Sequence, residues 1–147
     1  LATIYRPLNN FFVNPLMEFL RRRFVCKNQI KKGINGVRDA INYIKQDYSI
    51  ALMIDQRVSE GEKINFFGKP AFTTTLPAQL ALKFGLSVVP VFLERDEFNN
   101  FTIQFYEEIK SSDFKNKLEM TKKLNNILES LIIKNPYQWI WTHNRWK

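Results

Sequence analysis

Residues 49–54, Ser-Ile-Ala-Leu-Met-Ile, form an apolar run that stops at Asp55-Gln56. A strand that is apolar on both faces needs cover on both faces, which is the situation of a parallel strand between helices. The preceding residues supply one such helix. Over 35–47, Val37, Ala40, Ile41 and Ile44 recur at the spacing of a single helical face. Two more helices are expected downstream. One covers 74–84 through Leu76, Leu80 and Phe84 and stops at Gly85. The other covers 113–134 through Phe114, Leu118, Leu124, Ile127, Leu128 and Leu131. Upstream, residues 2–6 read as a strand ending at Pro7. Residues 8–23 read as a helix or two helical pieces, with Pro15 starting a helix and Leu16, Phe19 and Leu20 sharing a face. Residues 24–34 read as a connection, 56–63 as a loop, 64–67 as a short strand, and 87–94 and 101–107 as strands. Alternating helices and strands give an α/β fold, a mixed sheet flanked by helices. A chain of 147 residues is one domain or part of one.

Several function classes fall away. A single cysteine, Cys26, allows no intrachain disulfide and fits a reducing compartment. No apolar run reaches the roughly 18–20 residues of a membrane-spanning helix. One histidine and one cysteine, far apart, make no tetrahedral zinc set, so no metal and no cofactor is expected. A Gly-rich phosphate loop and a nucleophile elbow are both missing.

Charge narrows the choice of partner. Lys and Arg number 22 against 14 Asp and Glu, a net +8. Residues 1–50 hold nine basic and three acidic groups, 51–100 five and six, and 101–147 eight and five. A positive surface attracts nucleic acid, anionic lipid headgroups or an acidic carrier protein. The aromatic pairs Phe11–Phe12, Phe66–Phe67 and Trp139 with Trp141 suit a membrane interface. They would also stack on single-stranded nucleic acid, but most aromatics fall at core-like positions, which argues against a nucleic-acid partner.

Four places have side chains suited to chemistry. Asp55 lies at the carboxyl end of the most apolar strand, where open α/β sheets place their sites. A carboxylate there can hold a base, position an arginine, bind a metal or simply cap the loop. Arg21, Arg22 and Arg23 suit bidentate phosphate binding or a solvated helix end. Phe66-Phe67-Gly68 can line an apolar pocket, and Thr73-Thr74-Thr75 can cap a helix or donate to an anion. His143, the sole histidine, is the commonest type of general base. With no acid beside it to orient it, it reads as a structural or surface residue.

Taken in chain order, these motifs carry a resemblance. Tyr5-Arg6-Pro7, Arg21–Arg23, Ile54-Asp55-Gln56, Phe66-Phe67-Gly68, Pro70-Ala71, Thr73–Thr75, Val88-Val89-Pro90-Val91 and the tail 136–147 run across essentially the whole chain. The chain resembles the lipid A biosynthesis late acyltransferases, within the lysophospholipid acyltransferase superfamily. The resemblance implies a glycerolipid acyltransferase-like fold with its N-terminal part missing from these residues. It implies transfer of an acyl chain from acyl carrier protein to a hydroxyl of a lipid A precursor, a phosphorylated glycolipid. The reaction would take place at the anionic, cytoplasmic face of the inner membrane, with no cofactor. In such enzymes a His-x4-Asp/Glu pair deprotonates the acceptor hydroxyl, which attacks the thioester carbonyl, and oriented donors stabilise the oxyanion.

By position, the resemblance assigns catalytic roles to Asp55, Arg21 and Arg23. It assigns substrate binding to Arg6, Arg22, Arg57, Phe66, Phe67, Gly68, Thr74 and Pro90, the last in the motif that shapes the acyl pocket. The His-x4-Asp/Glu pair does not occur in these 147 residues, since His143 would need its acid at position 148. The expectation is a C-terminal portion of one acyltransferase domain, inactive alone, with the motif and a membrane anchor N-terminal to Tyr5. A lipid- or carrier-binding homologue without the base is the alternative. A glycerolipid acceptor is a further one, and Asp55-Gln56 in place of a Glu-Gly-Thr-Arg style motif speaks against it.

Overall fold

The computed structural model describes residues 1–58, 61–142 and 144–146, so His143 lies outside the described residues. The chain forms two compact units, Leu1–Met53 and Ile54–Lys147.

The first unit alternates strand and helix: β1 (Ala2–Tyr5), α1 (Val13–Phe24), β2 (Asn28–Lys31), α2 (Ile34–Ile44) and β3 (Ile50–Ala51). The strands lie in the order β2-β1-β3, and both pairings are parallel. Ala2 on β1 and Ile30 on β2 are fully enclosed. Helix α2 buries Gly36 and Ala40 and half-buries Val37, Ile41 and Ile44, the face read from its spacing. Helix α1 opens without strain at Pro15, which falls in its first turn, where no backbone donor is needed. The Asn10 side chain accepts from the amides of Phe12 and Val13 and so closes the turn that leads into the helix.

Three expectations for this unit need correction. Residues 24–34 are more than a connection, because they contain β2. Asn-Gln-Ile-Lys has no strand-like apolar run, and β1 supplies its ladder through Ala2↔Asn28 to Tyr5↔Lys31. The apolar run 49–54 pairs only at Ile50–Ala51, and Met53 is exposed. Leu16, Phe19 and Leu20 were expected to share one face, yet Leu16 and Phe19 are exposed while Leu20 is half-buried, and α1 has no buried residue.

The second unit is antiparallel. A hairpin joins β4 (Glu62–Phe66) to β5 (Lys69–Thr73). Its two-residue turn is Phe67-Gly68, both at positive φ, the backbone a tight hairpin requires. Helix α3 (Leu76–Phe84) ends at Gly85, which takes the left-handed conformation. Then follow β6 (Ser87–Val88), β7 (Val91–Arg95), β8 (Phe101–Phe105), β9 (Ile109–Lys110) and α4 (Lys117–Lys134). The expected strand 87–94 is therefore two strands. Pro90 cannot donate to a ladder, and at this break β6 pairs with β9 while β7 pairs with β8.

Helix α4 starts where the Asn116 side chain accepts from the amides of Leu118 and Glu119. It buries Met120, Leu124, Leu131 and Ile132, while Leu118 is exposed against expectation. One apolar cluster joins α3 to α4 through Ala78, Ala81, Met120 and Leu124, with Ile109 and Ile54 against it. A second joins the β4–β5 hairpin to α4 and the tail through Phe66, Ala71 and Ile132, with Leu128, Trp139 and Trp146.

Candidate functional site

The carboxyl ends of parallel strands leave peptide groups without partners and open a crevice there, which is where α/β folds bind ligands. In the first unit those ends are Tyr5 and Lys31, paired in register. The Tyr5 hydroxyl donates to Glu18 Oε1 at 2.9 Å, Asn14 Nδ2 donates to the same oxygen at 2.9 Å, and Lys31 Nζ lies 3.1 Å from it. Three donors on one carboxylate oxygen hold its charge, so hydrogen bonds from Asn14, Tyr5 and Lys31 bring the Glu18 carboxyl down to about 2. Burial, followed by the bond to Glu18, pushes the Tyr5 phenol up to about 12. The Arg21 guanidinium sits over the Tyr5 ring, 5.0 Å from its centroid, and its buried Nη1 has no hydrogen-bond partner among the described residues. Beside this cluster an open cleft of about 660 Å³ is lined by Lys31, Lys32, Gly33, Asn35 and Asp39 among others.

Glu18 makes the stability of this unit depend on pH. Its folded-state value lies below the ordinary 4.5. Its stabilisation is therefore complete above about pH 4.5 and is lost as pH falls toward about 2. Comparing wild type with Glu18→Gln by denaturation, read from β1 and β2 amide exchange, should show a gap that closes over this window. A gap that stays constant down to pH 2 would show that the charge plays no part.

The arginine step divides. Arg21 turns toward the sheet, whereas Arg22 and Arg23 are exposed, with Arg23 lying 5.5 Å from the Phe24 ring. Arg6, just past β1, is exposed. These four cations and the Tyr5–Glu18–Lys31 cluster share the first unit. Sequence reading missed Glu18, Asn14 and Lys31 as site members. The available signal was a lone acid on α1 between four cations.

The other expected residues belong to the second unit. Asp55 is half-buried and Arg57 exposed. Phe66 is fully buried, its ring 4.8 Å from that of Phe67 and 5.8 Å from those of Trp139 and Trp146. Phe67 is half-buried, and its amide donates to Glu129. Gly68 is exposed in the hairpin turn. Thr74 Oγ1 accepts from the amide of Leu76 in the turn that leads into α3, whereas the N-cap position itself is Thr75, whose side chain caps no backbone amide. Half-buried Pro90 accepts from the Tyr106 amide at the break between β6 and β7.

One residue unites this unit, and sequence reading did not single it out. Arg145 is fully buried. Its guanidinium lies 4.0 Å from the Phe66 ring centroid, and its Nη2 donates to Thr73 Oγ1 at 3.1 Å and Asn125 Oδ1 at 3.4 Å. Nε and Nη1 have no partner among the described residues. Burial lowers it to about 10 against the opposing fields of Asp55 and Glu129. Asp55 thus has a buried cation as its electrostatic counterpart. Among the described residues no cluster of His, Cys, Asp and Glu could hold a metal ion, and no helix is long and apolar enough to cross a membrane.

The family model described as bacterial lipid A biosynthesis acyltransferase matches residues 1–147, the whole chain. No curated protein matches it.

Proposed function

Since this chain belongs to the bacterial lipid A biosynthesis acyltransferase family, we propose that it serves the transfer of a fatty acyl chain from acyl carrier protein to a hydroxyl of a phosphorylated lipid A precursor. The observation that carries this reading is the cation-rich end of the parallel sheet. There Arg6, Arg21 and Arg22 flank a Tyr5–Glu18–Lys31 cluster whose Lys31 also lines an open cleft. The first unit holds nine of the 22 basic groups and only three acids. Such a surface fits a phosphorylated glycolipid, an acidic carrier and the anionic cytoplasmic face of the inner membrane.

In transfer, the acceptor oxygen forms a bond to the thioester carbon, the carbon–sulfur bond breaks, and the hydroxyl proton passes through a base to the departing thiolate. The 147 residues hold no His-x4-Asp/Glu base, so the roles assigned to them are binding and electrostatic. Arg6, Arg22 and Arg23 take acceptor phosphates, which planar guanidinium groups pair bidentately. Arg21, fixed over Tyr5, orders the cluster at the end of the sheet. Asp55 holds the charge balance of its unit opposite Arg145 and positions Arg57. Phe67, Thr74 and Pro90, within the second unit, are assigned to the acyl chain, with Phe66 and Gly68 shaping the turn that carries Phe67.

The test is acyl transfer by the whole protein, with acyl carrier protein thioester and a lipid A precursor. Arg23→Ala and Asp55→Asn should each lower kcat/KM by about 10- to 100-fold with an unchanged melting profile. Unchanged kcat/KM in both would remove these residues from the reaction. Robust transfer by residues 1–147 alone would show that the base had been sought in the wrong place.

A further inference from the structure

Helix α1 is attached to its sheet by its polar side. Asn14, Glu18 and Arg21 meet Tyr5 and Lys31, whereas amphipathic helices ordinarily turn the apolar side inward. Phe12, Leu16, Phe19 and Arg23 follow one another at spacings of four, three and four residues, which places them along one side of the helix. Phe12 is 88% exposed, Leu16 58% and Phe19 63%. Phe24 and Val25 extend the apolar surface past the last turn, and Arg22, Arg23 and Lys27 edge it. The only acid on α1, Glu18, is committed to the opposite side.

From this we infer that the outward side of α1 is a docking face for an anionic lipid bilayer, with Phe12, Leu16 and Phe19 entering the headgroup boundary and Arg22, Arg23 and Lys27 meeting lipid phosphates. The inference rests on the membrane reading above and assigns it to named residues. Aromatic and aliphatic side chains beside arginines are the composition of an interfacial helix. An acidic protein would satisfy the arginines but leave the Phe12–Leu16–Phe19 row uncovered. The other bare apolar face, Val91, Leu93, Ile103 and Phe105 on the β7–β8 hairpin, has the single cation Arg95 at its end against Asp96, Glu97, Glu107 and Glu108 at the two ends of the hairpin strands. Its charge has the wrong sign for the same surface.

The experiment is co-sedimentation of the chain with vesicles of phosphatidylethanolamine and phosphatidylglycerol, and with neutral phosphatidylcholine vesicles. Neither contains lipid A precursor or thioester. The chain should partition to the anionic vesicles, and less so as salt rises. Phe12→Ser with Phe19→Ser should lower partitioning by about tenfold or more. Arg22→Gln with Arg23→Gln should lower it by about tenfold on anionic vesicles and leave the neutral ones unchanged. Leu93→Ser with Ile103→Ser should change nothing. An unchanged melting profile shows that the exposed substitutions leave the fold intact.

Undiminished partitioning of the Phe12/Phe19 variant overturns the inference. So does lipid-free self-association that the same variant abolishes, which would mean a second copy covers the face. Retained vesicle binding with lost affinity for acyl carrier protein overturns it too. Because no acyl transfer is read, failure here leaves the proposed reaction standing, to be judged on a detergent-dispersed acceptor.

Discussion

Gly36→Ala is expected to destabilise the parallel-sheet unit by about 3 kcal/mol or more. A Cβ at this position would fall well inside van der Waals contact with the Lys31 carbonyl oxygen and crowd the Ile30 side chain. Overpacking a core usually costs about 1–3 kcal/mol, because side chains can turn aside. Here the obstructing atom belongs to the backbone of β2, which is tied to β1 through the Tyr5↔Lys31 pairing and the Lys32 amide to Tyr5 carbonyl bond of 2.8 Å. Relief requires moving either the strand or the first turn of α2, and both border the cationic cleft. The substitution should therefore raise amide exchange across Ala2–Tyr5 and Asn28–Lys31. Native-like protection there would mean that α2 can shift outward without strain. By contrast, Gly33 and Gly68 have open space where a Cβ would sit, and their demand is on φ alone.

How much of this was legible beforehand depended on whether the determining contact was local. Helices α2, α3 and α4 follow from apolar spacing together with local devices, Gly85 at one end and Asn116 at another, although α4 starts at Lys117 rather than 113 because Asn116 caps it there and Phe114 is extended. Strand β2 was not legible, because Asn-Gln-Ile-Lys acquires its conformation from β1 across the sheet. Helix α1 was legible as a helix but not in its orientation. Periodicity shows that two faces differ, and the pull of Tyr5 and Lys31 on Glu18 decides which one turns inward. Phe66-Phe67-Gly68 stood out as an aromatic motif, and its hairpin geometry follows from two positive φ values that only the paired strands demand. Arg145 was hidden because an arginine in a basic tail reads as surface. Its burial depends on Phe66, Thr73 and Asn125, residues 20 to 79 positions away in the chain.

Arg145→Ala is expected to destabilise the second unit by about 3–5 kcal/mol, and Arg145→Met by far less. Two effects oppose each other at this residue. A buried guanidinium with Nε and Nη1 unpartnered bears a desolvation cost, and replacing a buried charge by a hydrophobe of similar volume is often neutral or stabilising. Against that, the side chain fills the space over Phe66 and satisfies Asn125 Oδ1. Alanine loses all of it, opening a cavity under Phe66, and large-to-small changes of this kind cost about 2–5 kcal/mol. The orphaned Asn125 oxygen adds about 1–3 kcal/mol. Methionine keeps the volume and the contact with the ring, is relieved of the charge, and leaves only the Asn125 oxygen unpaired. Thr73 keeps its bonds to Asn125 Nδ2 and the Ala71 carbonyl in either variant. Trp139, Trp141 and Trp146 all lie in this unit, so tryptophan fluorescence in a denaturant series reports its unfolding. If methionine proves as damaging as alanine, volume is not what Arg145 provides. The positive charge facing Asp55 and Glu129 is then what the unit requires, and Asp55→Asn should recover part of the stability that methionine loses.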